Sequence, residues 1–134
     1  MAFAAAEAQE AEGIEKAPAT LRRGIETALH DETVAVYWVL VVDDDQPVGT
    51  ISALREWSNW NAGYYWWIQS MYIVPEYRGK GLALQLLDTV GDEARRRGGL
   101  ELRLCVHEGN VRAMKTYDAA GFSESKYKVM SRAL

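Results

Sequence analysis

The stretch from Met71 to Ala83 does most to fix what this chain can fold into. An apolar run, Met71-Tyr72-Ile73-Val74, meets Pro75. It then passes a basic glycine turn, Arg78-Gly79-Lys80-Gly81, and enters a leucine-rich segment at Leu82. The run reads as a strand and the segment as a helix, so one end of a sheet opens onto a helix start. Free backbone N–H groups at a helix start attract anions. Glycines admit a phosphate close to the backbone, and Arg78 and Lys80 add positive charge. A phosphorylated ligand is expected here. A nucleotide P-loop requires glycine-lysine followed by serine or threonine, and a dinucleotide fingerprint requires a third glycine in a parallel βαβ unit at the start of the fold. The chain meets neither requirement.

The remaining elements follow from local pattern. Phe3 to Glu15 and Ala19 to His30 read as helices, with Pro18 at the start of the second. Val34 to Val42 and Val48 to Arg55 read as an antiparallel hairpin around the exposed turn Asp43-Asp44-Asp45-Gln46-Pro47. Glu56 to Gly63 reads as a polar, aromatic loop and Tyr64 to Val74 as a third strand. Leu82 to Arg97 has helical spacing, with Leu82, Leu86, Leu87, Val90 and Ala94 on one face. Leu100 to Val106 reads as a strand, Asn110 as the cap of a helix reaching Ala120, and Phe122 to Arg132 as a final strand region. The intervening helix makes the third and fourth strands a parallel crossover pair. The expected class is α/β: a mixed sheet, an antiparallel meander followed by that parallel pair, with helices on both faces.

Composition narrows the function classes. The chain has 134 residues, which suits one domain over 1–134. Its net charge of −4 gives no reason to expect nucleic-acid binding. The cluster Arg95-Arg96-Arg97 reads as a solvated helix end that complements the helix dipole. No apolar run reaches the roughly 18–20 residues of a membrane span, and the acidic N-terminus lacks the features of a signal or transit peptide, so a cytoplasmic location is expected. The single cysteine, Cys105, reads as a buried small hydrophobe.

A second motif runs from Asn110 to Phe122. Asn110, Ala113 and Tyr117 share one helix face, pairing a small residue with a phenol where a narrow ligand can pass. Arg78, Gly81 and Ala83 match an Arg-x-x-Gly-x-Ala signature. Asn110, Ala113, Tyr117, Gly121 and Phe122 match an Asn-x-x-Ala-x-x-x-Tyr-x-x-x-Gly-Phe signature. In this order the two resemble the GNAT N-acetyltransferase superfamily over roughly residues 20 to 130. The segment Trp66 to Tyr72 is similar to that of a bacterial-type subgroup.

The resemblance implies acetyl-CoA as co-substrate. The backbone from Arg78 to Ala83 (Arg78, Gly79, Lys80, Gly81, Leu82, Ala83) would hold its pyrophosphate. The pantetheine arm would lie as an extra strand along Met71, Tyr72 and Ile73, where the parallel strands splay apart, often at a bulge. A backbone N–H near Ile73 would polarise the thioester carbonyl. Asn110, Ala113 and Tyr117 would flank the cofactor, and Tyr117 would protonate the departing thiolate. The attacking amine, with a pKa of roughly 10, must first lose a proton. Glu56, near the end of the second strand, and His107, after the fourth, are the candidate bases. No metal is implied.

Trp57, Trp60, Trp66 and Trp67 crowd one region, as pocket lining or as a partner surface. Trp66 and Trp67 fall on opposite faces of their strand. The resemblance also implies a first strand for which Met1 to Glu15 gives no counterpart. The first hairpin strand would then expose an edge, covered by homodimer contacts or by the C-terminal segment. A small-molecule or peptide amine is the implied acceptor. The competing readings are an acyl-CoA-binding sensor and a non-catalytic interaction module on the same scaffold.

Overall fold

The computed structural model describes all residues from Met1 to Leu134. Two helices, α1 (Ala2–Glu12) and α2 (Pro18–His30), precede three strands, β1 (Val36–Val42), β2 (Gln46–Ser58) and β3 (Gly63–Ile73). Helix α3 (Leu82–Arg96), strand β4 (Glu101–Leu104) and helix α4 (Val111–Ala119) follow. The four strands form one sheet in the order β1-β2-β3-β4. The first three are an antiparallel meander, and β3 and β4 are parallel across α3. This is the topology expected from the sequence.

Helices cover both faces. One face carries the main core, in which Ile51, Ala53, Trp66, Ile68 and Ile73 of the sheet meet Leu86, Leu87, Val90 and Ala94 of α3. The α3 residues recur at helical spacing, so one helix stripe fills against one sheet face. Burying each such side chain fully contributes about 1.5–3 kcal/mol. On the opposite face, Phe3 of α1 stacks on Tyr72 of β3 with ring centroids 5.5 Å apart.

Two irregularities position the site. In β3, Ser70 pairs with Ser52 but Ile68 pairs with Ala53, so Gln69 is an extra residue, a bulge. The parallel pairing of β3 with β4 runs only from Tyr65–Glu101 to Ile68–Leu104 and stops at that bulge. Beyond it the two strands diverge, and a cleft opens between Gln69–Ile73 and the chain after Leu104.

Several expectations need correction. Of the Glu56 to Gly63 segment only residues 59–62 form a turn, because β2 continues through Ser58, with Glu56, Trp57 and Ser58 paired to Tyr65, Tyr64 and Gly63. The fourth strand ends at Leu104 rather than Val106, because the splay removes its partner. The segment after Phe122 forms no strand, and Tyr127, Val129 and Met130 are exposed. The outer edge of β1 is unpaired, as expected, and the C-terminal segment does not cover it. Cys105 is exposed, not buried, since it follows the last paired residue of β4. No helix is long and apolar enough to cross a membrane.

Candidate active site

The cleft is a cavity of about 960 Å³ bounded by α1, the free end of β3, the start of α3, the segment after β4, and α4. Its floor is the backbone edge of β3. The N–H of Val74 donates to Val48 of β2 at 2.9 Å, so by strand alternation Tyr72 also faces β2. The N–H and C=O groups of Met71 and Ile73 therefore point the other way, into the cleft. Two contacts agree. The N–H of Met71 donates to the carboxylate of Glu7 at 2.9 Å, and the C=O of Ile73 accepts from Nε of Arg78 at 2.7 Å.

One end of the cavity is the glycine turn. Gly79 and Gly81 have φ of 72° and 77°, a conformation that costs side-chain-bearing residues energy. No heavy atom lies within 4 Å of where a Cβ would sit on either. The backbone N–H groups from Gly79 to Leu84 have no acceptor in the protein, and α3 has no side-chain cap. These donors suit an anion with several oxygens, such as a pyrophosphate, added to the positive end of the α3 dipole. Gly79, Gly81, Leu82 and Ala83 line the cavity. Lys80 does not; its ammonium stacks over the Tyr77 ring, 4.7 Å from the centroid. Arg78 lines the cavity and lies over the Tyr72 ring, while its guanidinium pairs with Glu10 at 2.8 Å.

Another wall of the cavity is α4. Asn110, Ala113 and Tyr117 all line the cavity, so the shared helix face read from spacing faces the cleft. Asn110 also caps α4, its side-chain oxygen accepting from the N–H of Ala113 at 3.2 Å. The Tyr117 ring is held edge-on by Phe122, with centroids 5.8 Å apart. Burial, reinforced by the nearby Glu7 charge, raises the Tyr117 phenol above its usual range. It therefore keeps its proton at neutral pH and can donate it.

The two candidate bases fare differently. Glu56 does not line the main cavity. It lines a neighbouring depression that shares Ile68, Gln69 and Cys105 with it, and its carboxylate accepts the indole N–H of Trp67. His107 lines the main cavity, but its Nδ1 accepts from the N–H of Gly109 at 3.0 Å. In the neutral ring the remaining nitrogen then carries the proton, so neither nitrogen is free to accept another. Of the tryptophans, Trp66 is in the core and Trp67 lines the small depression. Trp57 and Trp60 line neither space and are exposed, Trp60 by 93%.

Glu7 and Glu10 were not singled out from the sequence. They stand three residues apart in an alanine-rich helix and so share one face, which was the available signal. Both carboxylates enter the cavity. Burial holds the Glu7 carboxyl above the usual carboxylate range, against the opposite pull of the Met71 N–H and the Ser70 hydroxyl.

This cleft lies within the residues, 3–122, that match the model of the Acetyltransferase (GNAT) family, and the chain belongs to that family. It is 37% identical over 65 residues to a thialysine N-epsilon-acetyltransferase of Bos taurus, covering 48% of this chain and 38% of the relative. It is 29% identical over 87 residues to an L-methionine sulfoximine/L-methionine sulfone acetyltransferase of Salmonella typhimurium, covering 65% of this chain and 51% of the relative. The chain thus spans about half or less of the length of these relatives. Its fold superposes on a possible acetyltransferase from Clostridium difficile 630 with a TM-score of 0.91 and 31% identity, covering 99% of this chain and 88% of that one.

Proposed function

We propose that this chain is an N-acetyltransferase that moves the acetyl group of acetyl-CoA to a primary amine by direct attack on the thioester. One observation carries the reading. A row of unpartnered N–H donors at the Gly79–Leu84 turn, the free strand edge of Met71 and Ile73, and a protonated phenol at Tyr117 line one cavity. These groups suit a pyrophosphate, an amide-rich arm and a thioester respectively.

In this reading the turn binds the pyrophosphate through its N–H groups, and Arg78 adds charge. The β3 edge bonds the arm as an added strand would. A cleft-facing N–H of β3 polarises the thioester carbonyl and stabilises the oxyanion that forms as nitrogen attacks. The C–N bond forms, the C–S bond breaks, and Tyr117 gives its proton to the sulfur. The phenolate recovers a proton from the nitrogen of the new amide, so Tyr117 ends unchanged. Asn110 and Ala113 keep α4 capped and its near face small, which leaves room for the arm. The names of the two relatives, a thialysine and a methionine sulfoximine acetyltransferase, support an amino-acid amine as acceptor.

Titration calorimetry with acetyl-CoA, beside its desulfo and dephospho analogues, tests the site. Micromolar binding that weakens on loss of phosphate supports it, and thiol release with an amine panel then tests the transfer. Absence of binding overturns the reading and leaves an interaction module on the same scaffold.

A further inference from the structure

Resting on this acetyltransferase reading, we infer that Glu7 is the group that receives the ammonium ion of the acceptor and takes its proton before attack. Three carboxylates line the cavity: Glu7, Glu10 and Glu12. Glu12 is exposed, and Glu10 is already neutralised by Arg78 at 2.8 Å and Arg112 at 3.4 Å. Glu7 alone is part-buried and has no cationic partner. A carboxylate held out of water without a cation is costly, so the site has a place for one positive charge. A protonated amine is a cation that also carries a proton it must lose.

The placement fits the chemistry. Glu7 accepts from the N–H of Met71, one of the cleft-facing donors that a thioester carbonyl needs. One N–H directed into the cleft cannot serve both oxygens well. When the thioester arrives, Glu7 gives up this bond and is left beside the reacting carbon, close enough to Tyr117 for its charge to act on the phenol. The ammonium then replaces the lost hydrogen bond. Its proton passes to the carboxylate, and the freed amine attacks. Glu7 afterwards releases that proton to solvent, which accounts for the one proton the overall transfer liberates.

The other candidates lack this combination. The carboxylate of Glu56 lies in the separate depression, and the free lone pair of His107 is spent on Gly109. The titratable and charged groups that share the cavity with Glu7 are Glu10 and Glu12 of its own helix, and Tyr72, Tyr77, Arg78, Cys105, His107, Arg112 and Tyr117 of the elements around it; helix α2 contributes none. Arg78 and Arg112 are held by Glu10, so neither is free to stand in for the missing cation.

Two measurements on the full chain test this, each comparing wild type with Glu7→Gln, which keeps an acceptor for the Met71 N–H. The first is acetyl-CoA binding at about pH 6 by calorimetry in two buffers of different ionisation enthalpy. With no amine present, a Glu7 carboxylate stripped of its hydrogen bond takes up a proton. Wild type should therefore take up more protons on binding than Glu7→Gln. The second is enzyme-dependent thiol release with high concentrations of ethylamine, which is protonated at neutral pH, and of 2,2,2-trifluoroethylamine, which is not. Glu7→Gln should slow the ethylamine reaction about 100-fold and the trifluoroethylamine reaction far less. Equal proton uptake in the two proteins, or an equal effect on both amines, overturns the role of Glu7 and leaves the acetyltransferase reading standing. Failure of wild type to bind acetyl-CoA overturns both.

Discussion

The guanidinium of Arg78 meets the carboxylate of Glu10 at 2.8 Å, across 68 residues of sequence. The contact ties α1 to the phosphate turn and spends on a carboxylate a charge the phosphate would use. Replacing Glu10 with Gln should therefore tighten acetyl-CoA binding several-fold, since a part-exposed pair of this kind is worth only about 1 kcal/mol or less. Calorimetry of the variant at low salt checks this; weaker binding would mean the pair serves chiefly to dock α1.

Gly81 precedes α3 with φ of 77° and open space where its Cβ would be. A β-branched residue there is strained by about 1–2 kcal/mol and fills the path of the phosphate. Gly81→Val should lower acetyl-CoA affinity at least about 10-fold. Its melting curve separates a lost site from a lost fold.

Tyr117→Phe keeps the edge-on contact with Phe122 and removes only the hydroxyl. Turnover should fall about 100-fold, with acetyl-CoA affinity within about 2-fold of wild type. Unchanged turnover removes Tyr117 as the proton donor.

Glu7 also makes a stability prediction. Its folded pKa is raised, from an ordinary value of 4.5, chiefly by burial. A carboxyl raised in this way binds its proton more tightly in the folded chain. Its contribution is present in full below the unfolded pKa and is lost as pH rises through the folded one. Glu7→Gln should melt above wild type at neutral pH, and the gap should close below about pH 4. A gap independent of pH would place the effect in packing rather than ionisation.

The core prediction concerns Gly99. A Cβ there would sit 2.8 Å from the indole of Trp66 and 2.9 Å from the carbonyl of Ala94. Trp66 is 1% exposed and has no room to yield. Gly99→Ala should cost about 1–3 kcal/mol in urea unfolding. A neutral result would show that the loop between α3 and β4 relaxes freely.

What was legible in the chain was what local chemistry decides. The meander, the crossover helix, the capped α4 and the phosphate turn each carry a pattern within a few residues of themselves. The continuation of β2 through Glu56 and Trp57 was not legible, because polar and aromatic residues read as loop until Tyr64 and Tyr65 are known to pair with them. Nor was the early end of β4, which depends on divergence from β3 rather than on Cys105 or Val106. The segment after Phe122 has strand-forming residues such as Tyr127 and Val129, but no neighbour to pair with. Glu7 and Glu10 were hidden because their meaning comes entirely from Met71 and Arg78, far along the chain.

The extra residue at Gln69 has a consequence for how this domain can change. Before it, Trp66 and Ile68 face α3; after it, Ile73 does. The bulge reverses the odd–even parity of β3 halfway along. Excising Gln69 itself would keep Ile73 toward α3 and Tyr72 toward α1 but remove the irregularity at which the cleft opens. Excising any other residue of this stretch, with the bulge kept, would exchange the faces beyond it and scramble core and cleft at one stroke. The domain can therefore accept new side chains around its cleft, yet its length between Trp66 and Ile73 is locked. In any descendant that still folds, indels in β3 should be far rarer than substitutions.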